Sequence, residues 1–326
     1  MVWQAIEAVL VIFILIGVGV LVSWRGWVSR ETAKVFPKLI IYLSLPCTVI
    51  TSFTTHFTRE QLAESWLPVV LIFAVVPVSF VIGLLAAKIF RIQKQRRGVF
   101  TVLFAFSNSV FIGFPVAQAL FGGEGMPFAV YYYLANTTYF WLLGYYVIRR
   151  DADALSGQHS KITATEVLKK LVSAPIITIF VMVVVVLAGI RLPDLILTPA
   201  KYIGGMTSPL SLLFMGCTIY HVGLKGMKYQ KGIGAVMLGR FLVIPALCFG
   251  VCMLATRLMA GALAGIDLTM MRNVFTMQIA LPVMTQTVII SELYGADVEY
   301  ATKGVVWTTL ASLVTIPAYM VLFQYI

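Results

Sequence analysis

Residues 99–122 read VFTVLFAFSNSVFIGFPVAQALFG, a run apolar enough to cross a bilayer that nevertheless carries Asn108, Gly113 and Pro115 at its centre. A helix in lipid has no water to pair the backbone N–H and C=O groups that such residues set free, so a break survives only where protein or a water-filled cavity satisfies it. Residues 274–295 pose the same problem. They read VFTMQIALPVMTQTVIISELYG, again opening on VFT and closing on an aromatic and a glycine, with Pro282 at the centre and Thr285, Gln286 and Thr287 after it.

Composition identifies the solvent. Of the 326 residues, 60% are hydrophobic and 11% charged, and the mean hydropathy is +0.95; such a chain is an integral membrane protein. Ten apolar runs recur, at 3–24, 35–53, 66–90, 98–121, 126–148, 167–190, 200–221, 232–258, 270–294 and 300–325. Their connections are short, and the longest, from Arg149 to Glu166, is too small to fold as a domain. The chain therefore reads as all α, with a single membrane domain over 1–326. No Lys or Arg precedes the first run, whereas Arg25, Arg30, Lys34 and Lys38 follow it, which marks a retained helix with its N-terminus outside rather than a signal peptide.

The formal charge of +11 is distributed by connection rather than gathered on one face. It indicates topology and attraction to anionic lipid, not a nucleic-acid partner. With ten spans, the connections after the odd-numbered ones share one side of the membrane. They and their helix ends, Arg240 among them, hold 19 of the 24 basic residues, while the other side holds Arg59, Arg191, Lys201, Arg257 and Arg272. The excess places both termini outside.

The two quoted stretches fall in the fourth span of each half. Looser echoes precede them: LSLPCTV around Pro46 resembles MTSPLSL around Pro209, and Pro77 answers to Pro245. Residues 1–148 and 167–326 then hold five spans each, joined by a loop at 149–166. Five is odd, so the second half enters the membrane inverted, as in many secondary transporters. Two interrupted helices meeting near the midplane would turn half-helix N-termini toward a shared cavity. Each terminus acts as roughly half a positive charge with free N–H donors, so the cavity suits a carboxylate without a buried Lys or Arg.

On SNSVFIGFPVAQALFG at Ser107, ALPVMTQTVIISELYG at Ala280 and the closing ADVEYATKGVVWTTLASLVTIPAY, the chain resembles the auxin efflux carrier family over essentially its whole length. That family includes bacterial malate and malonate permease-like members and the plant PIN-formed auxin transporters. The resemblance implies ten transmembrane helices in two inverted five-helix repeats, on a plan like that of the bile-acid symporters and NhaA, with the fourth and ninth helices broken and crossing. It implies an organic anion bound at the crossing and carried by an elevator-like displacement, and a homodimer formed through scaffold helices. By motif position it carries over Asn108 and Pro115 in the fourth helix and Pro282 in the ninth, with Asn136 in the fifth near a substrate-facing amide; Ser107, Gly113, Thr285 and Gln286, which belong to the same breaks, complete the candidate substrate-binding set. No catalytic residue, metal or cofactor is expected. The long cytoplasmic loop of the plant members is absent.

The residues themselves leave choices open. Asn108 either holds a substrate carboxylate or satisfies backbone groups freed by the break, and Thr285 and Gln286 pose the same choice on the second break. Asn136, Thr137 and Thr138 form a polar island in YYYLANTTYFWLLGYY, facing substrate or hydrogen-bonding between helices; Gln118 and Gln278 are weaker candidates. His56, His159 and His221 show no metal-ligand spacing, and Cys47, Cys217, Cys248 and Cys252 lie inside spans as small apolar residues. Of the 13 acidic residues none falls at the midplane, Glu7 and Glu292 being the two placed within spans, which disfavours proton or sodium coupling through a buried acid. No HExxH, GxSxG, paired intramembrane Asp or Asp-rich diphosphate motif is present, so an enzyme is not expected. The leading expectation is a carrier of a small organic anion, an efflux carrier or uniporter of a bacterial inner membrane. A sodium- or proton-coupled symporter or antiporter on the same fold and a non-transporting sensor are the competing readings.

Overall fold

A computed structural model describes residues 2–59, 66–157, 165, 174–223, 230–259 and 266–325, with the backbone alone described at 2–9, 12, 56, 222 and 292. His159 and the side chains of His56, Glu7 and Glu292 lie outside the described residues. The regular elements are all helices: α1 (Val2–Trp24), α2 (Arg30–Thr55), α3 (Trp66–Ile89), α4 (Arg97–Ala105), α5 (Phe114–Tyr139), α6 (Tyr145–Ser156), α7 (Ala174–Leu187), α8 (Asp194–His221), α9 (Ile233–Leu258), α10 (Leu268–Ile279), α11 (Gln286–Tyr294) and α12 (Val298–Leu322). Among the described residues α2, α3, α8, α9 and α12 are each long and apolar enough to cross a membrane, which makes this a multi-pass membrane protein. The two quoted stretches are divided as their sequence demands, α4 from α5 and α10 from α11.

Exposure separates the helices that face lipid from those that do not. On α7, Phe180, Val181 and Val184 are more than half exposed, and Val70, Val81 and Leu85 on α3 are similar; apolar side chains on an outer surface are at home in hydrocarbon. In contrast, residues 98–105 of α4 and 271–279 of α10 are buried on every side. The two interrupted segments therefore form the middle of the protein.

Proline shapes several of the other helices. The wide helical turns Ile40–Ser44, Ser109–Gly113 and Gly239–Val243 lie directly ahead of Pro46, Pro115 and Pro245. A proline lacks an N–H and its ring clashes with the carbonyl four residues back, so a turn bonded to the fifth residue lets the helix pass it. α5 joins the end of the fourth apolar run to the start of the fifth through Gly122, whose φ of 62° interrupts the helix. The loop expected from Arg149 to Glu166 begins instead as helix, because α6 continues to Ser156. Its Asp151 carboxylate accepts the Val99 N–H at 2.8 Å, supplying one of the acceptors that the first turn of α4 lacks. The four cysteines are free thiols, three of them buried.

Candidate functional site

α4 ends at Ala105 and α10 at Ile279, and the extended residues that follow them run antiparallel. The Asn108 N–H donates to the Pro282 carbonyl at 2.8 Å, and the Met284 N–H donates to the Phe106 carbonyl at 3.2 Å, on either side of the paired Ser107 and Val283. Each break thus supplies part of what the other has lost.

Side chains from neighbouring helices supply the rest. Asn136 on α5 accepts from the Ser107 N–H at 3.2 Å and from the Tyr132 hydroxyl at 3.2 Å, and its amide donates to the Ser107 carbonyl at 2.9 Å and to Ser109 Oγ at 3.4 Å. Ser107 Oγ also hydrogen-bonds the Tyr132 hydroxyl. Asn136 is fully buried, and its amide is engaged with the first break on both its oxygen and its nitrogen. Asn108 caps the turn that follows: its Oδ1 accepts from the Phe111 N–H at 3.1 Å, while its Nδ2 reaches across to Thr285 Oγ1 at 2.9 Å. Gln278 of α10 donates to the Gly113 carbonyl at 2.8 Å, and a Cβ at Gly113 would lie 2.3 Å from Gln278 Oε1. A side chain at 113 would have to displace the Gln278 carboxamide that makes this bond. On the second break the Val283 N–H donates to Thr308 Oγ1 at 3.2 Å.

Against this junction lies a cavity of about 360 Å³, lined by Asn108, Ser109, Thr137, Thr285 and Gln286 together with Ile41, Tyr133 and Trp141. Among the described residues, Thr137 Oγ1 and Gln286 Oε1 are buried without a hydrogen-bond partner. The N–H groups of Thr285 and Gln286, at the start of α11, find no main-chain acceptor among the described residues. An apolar hollow with a few unpaired polar groups is the usual make-up of a small-molecule site. Of the eight residues nominated from sequence, Asn108, Thr285 and Gln286 line the cavity. Ser107, Gly113, Pro115, Asn136 and Pro282 belong to the breaks and their packing.

Arg240 is the residue that sequence reading misplaced. Counted with the basic helix ends, it belonged to a membrane surface. In the structure it is fully buried, seven residues past the start of α9, or roughly 10 Å along the helix axis. Its guanidinium donates to the carbonyls of Leu281 (2.9 Å), Phe104 (3.1 Å) and Ile279 (2.7 Å), and the Tyr132 hydroxyl interacts with it as well. Phe104 lies in the last turn of α4 and Ile279 ends α10, where carbonyls are left unpaired. The placement of Arg240 at a helix end is therefore corrected: it is a buried cation at the junction whose carbonyl partners are backbone, and it is not among the residues that line the cavity. The rest of the charge asymmetry, 18 basic residues against 5, does not depend on it. The available signal was position, since Arg240 stands well inside an apolar run while other basic residues flank theirs.

Residues 4–320 match the family described as membrane transport protein. An uncharacterized transporter of Methanocaldococcus jannaschii is 27% identical over 315 residues, covering 95% of this chain and 96% of its own length. Another, of Methanothermobacter thermautotrophicus, is 23% identical over 323 residues and 97% of each chain. With the match running through both divided helices and the junction between them, the chain belongs to the membrane transport protein family, that of the auxin efflux carrier-like transporters.

Proposed function

We propose that this transporter carries a small organic anion, with the carboxylate held in the cavity at the junction of the two breaks. The observation that carries the reading is the open start of α11. Its unbonded Thr285 and Gln286 N–H groups lie beside the Gln286 amide and the Thr137 hydroxyl at one cavity. A helix N-terminus is equivalent to about half a positive charge, and donors already fixed by the fold favour an anion over a neutral solute or cation of the same size. Asn108, Thr285 and Gln286 contact the substrate in this reading, and Ser107, Gly113, Pro115, Asn136 and Pro282 shape the breaks that present them. The antiparallel pairing of the breaks supports two inverted five-helix repeats, 1–148 and 167–326, joined by 149–166. Transport then proceeds by displacement of the crossing helices against the remaining scaffold, in a homodimer of a bacterial inner membrane with both termini outside.

Uptake of labelled malate, malonate and indole-3-acetate into proteoliposomes tests this, with Asn108→Ala and Gln286→Ala alongside. The expected result is saturable, potential-sensitive uptake that falls about tenfold in either variant, equivalent to about 1.4 kcal/mol. Binding without uptake would make the protein a sensor. Uptake of none of the acids, and no binding, would overturn the anion site.

A further inference from the structure

We infer that Arg240 is a tethered cation occupying a carbonyl cage at the junction, in the place where a carrier of this build would otherwise hold a small mobile cation. The carbonyls of Phe104, Ile279 and Leu281 surround one guanidinium, each accepting from a different nitrogen. Two of them close α4 and α10, and each such end carries about half a negative charge. Exposed carbonyls at half-helix C-termini are the groups that coordinate sodium in transporters with interrupted helices. Here the position is filled by a group that does not leave, because a guanidinium stays protonated and is anchored to α9. Among the described residues no carboxylate pairs with it, and its buried charge is met by the three carbonyls and the Tyr132 hydroxyl.

The charge balance has a consequence for transport. Two half-helix C-termini bring about one negative charge in total, and the guanidinium cancels it. The second halves of the divided helices begin at the same junction with about one positive charge between them, which a single carboxylate matches. Substrate can then bind without recruiting an ion from solution. Arg240 acts as a positioning residue, setting the charge of the junction without touching the substrate. This consequence rests on the anion-carrier reading, whereas the cage does not.

The test has one arm that needs no substrate. In detergent, sodium or guanidinium ions should raise the Tm of Arg240→Asn, which vacates the cage, and should leave wild type unmoved; a Tm of the folded variant that responds to neither ion overturns the proposal. In proteoliposomes at a clamped membrane potential, wild-type uptake should change less than twofold when sodium is replaced by choline or a pH gradient is imposed. Uptake driven by either gradient overturns it. Arg240→Lys retains a cation in the cage and should transport within about tenfold of wild type, still independent of sodium; sodium dependence in that variant counts against the proposal even if Arg240→Asn fails to fold. Sodium stabilisation of Arg240→Asn combined with no uptake of any carboxylate by wild type would remove the anion reading and leave the cage standing.

Discussion

The two breaks solve one physical problem in different ways. The first is closed: Asn136 pairs both main-chain groups of Ser107, Asn108 caps the following turn, and Gln278 takes the Gly113 carbonyl. On the second, Arg240 takes the Ile279 and Leu281 carbonyls and Thr308 takes the Val283 N–H, while the Thr285 and Gln286 N–H groups find no acceptor among the described residues and both residues line the cavity. Their shared backbone pairing is symmetric, but the side chains around it are not. A carrier needs one element that keeps the junction in shape and another with unused hydrogen-bonding capacity, and here the unused main-chain donors lie on the second break.

Asn136→Leu gives the largest effect if the first break is the structural one. It orphans the Ser107 N–H in a dry interior, at about 1–3 kcal/mol, and leaves the Ser107 carbonyl with the Ser109 N–H alone, so the Tm in detergent should fall steeply and uptake with it. Gly113→Ala comes next. Its Cβ meets Gln278 Oε1 at 2.3 Å and Leu281 Cδ1 at 3.0 Å, which displaces the Gln278 carboxamide and its bond to the Gly113 carbonyl, at about 1–3 kcal/mol. Thr308→Val leaves one N–H unpaired, at about 1–2 kcal/mol. Equal losses of stability in Asn136→Leu and Thr308→Val would break the comparison, because the two supports would then be equivalent.

Much of this arrangement was legible in sequence, for a reason that applies to the breaks and not to their surroundings. Gly113, Pro115 and Pro282 interrupt apolar runs where lipid tolerates no interruption, so the chain announces them. Asn136 stands out as a polar residue among aromatics. Thr308 does not, being one of several threonines on a helix where such residues commonly bond their own backbone, as Thr308 also does to the Gly304 carbonyl at 2.8 Å. Arg240 was hidden by the rule that reads topology from basic residues, which sorts charges by the nearest connection and carries no measure of depth. Which of the polar residues line the cavity was equally beyond the sequence, since it depends on how α5 and α11 turn toward each other.

The same contrast extends to how the first halves begin, and it gives the smallest effect. α10 is capped by its own neighbour: Asp267 accepts from the Met270 N–H at 2.8 Å, at an exposed position. α4 is capped from a distance by Asp151, which lies beyond the end of the fifth apolar run and is nearly buried. Burial pushes the Asp151 carboxyl up to about 7, against the downward pull of the Val99 and Gly98 N–H groups and of Arg150, and Asp297 adds to the rise. The folded protein then holds a proton between about pH 4 and 7 that the unfolded chain has released. Stability from this group is full below the unfolded value and is lost as pH rises through 7. The Tm should therefore drift down between pH 5 and 8 by a few degrees, and Asp151→Asn, which keeps an acceptor for the Val99 N–H, should remove that part of the slope. Equal slopes in the two proteins would show that Asp151 is ionised throughout and that α4 is anchored by charge.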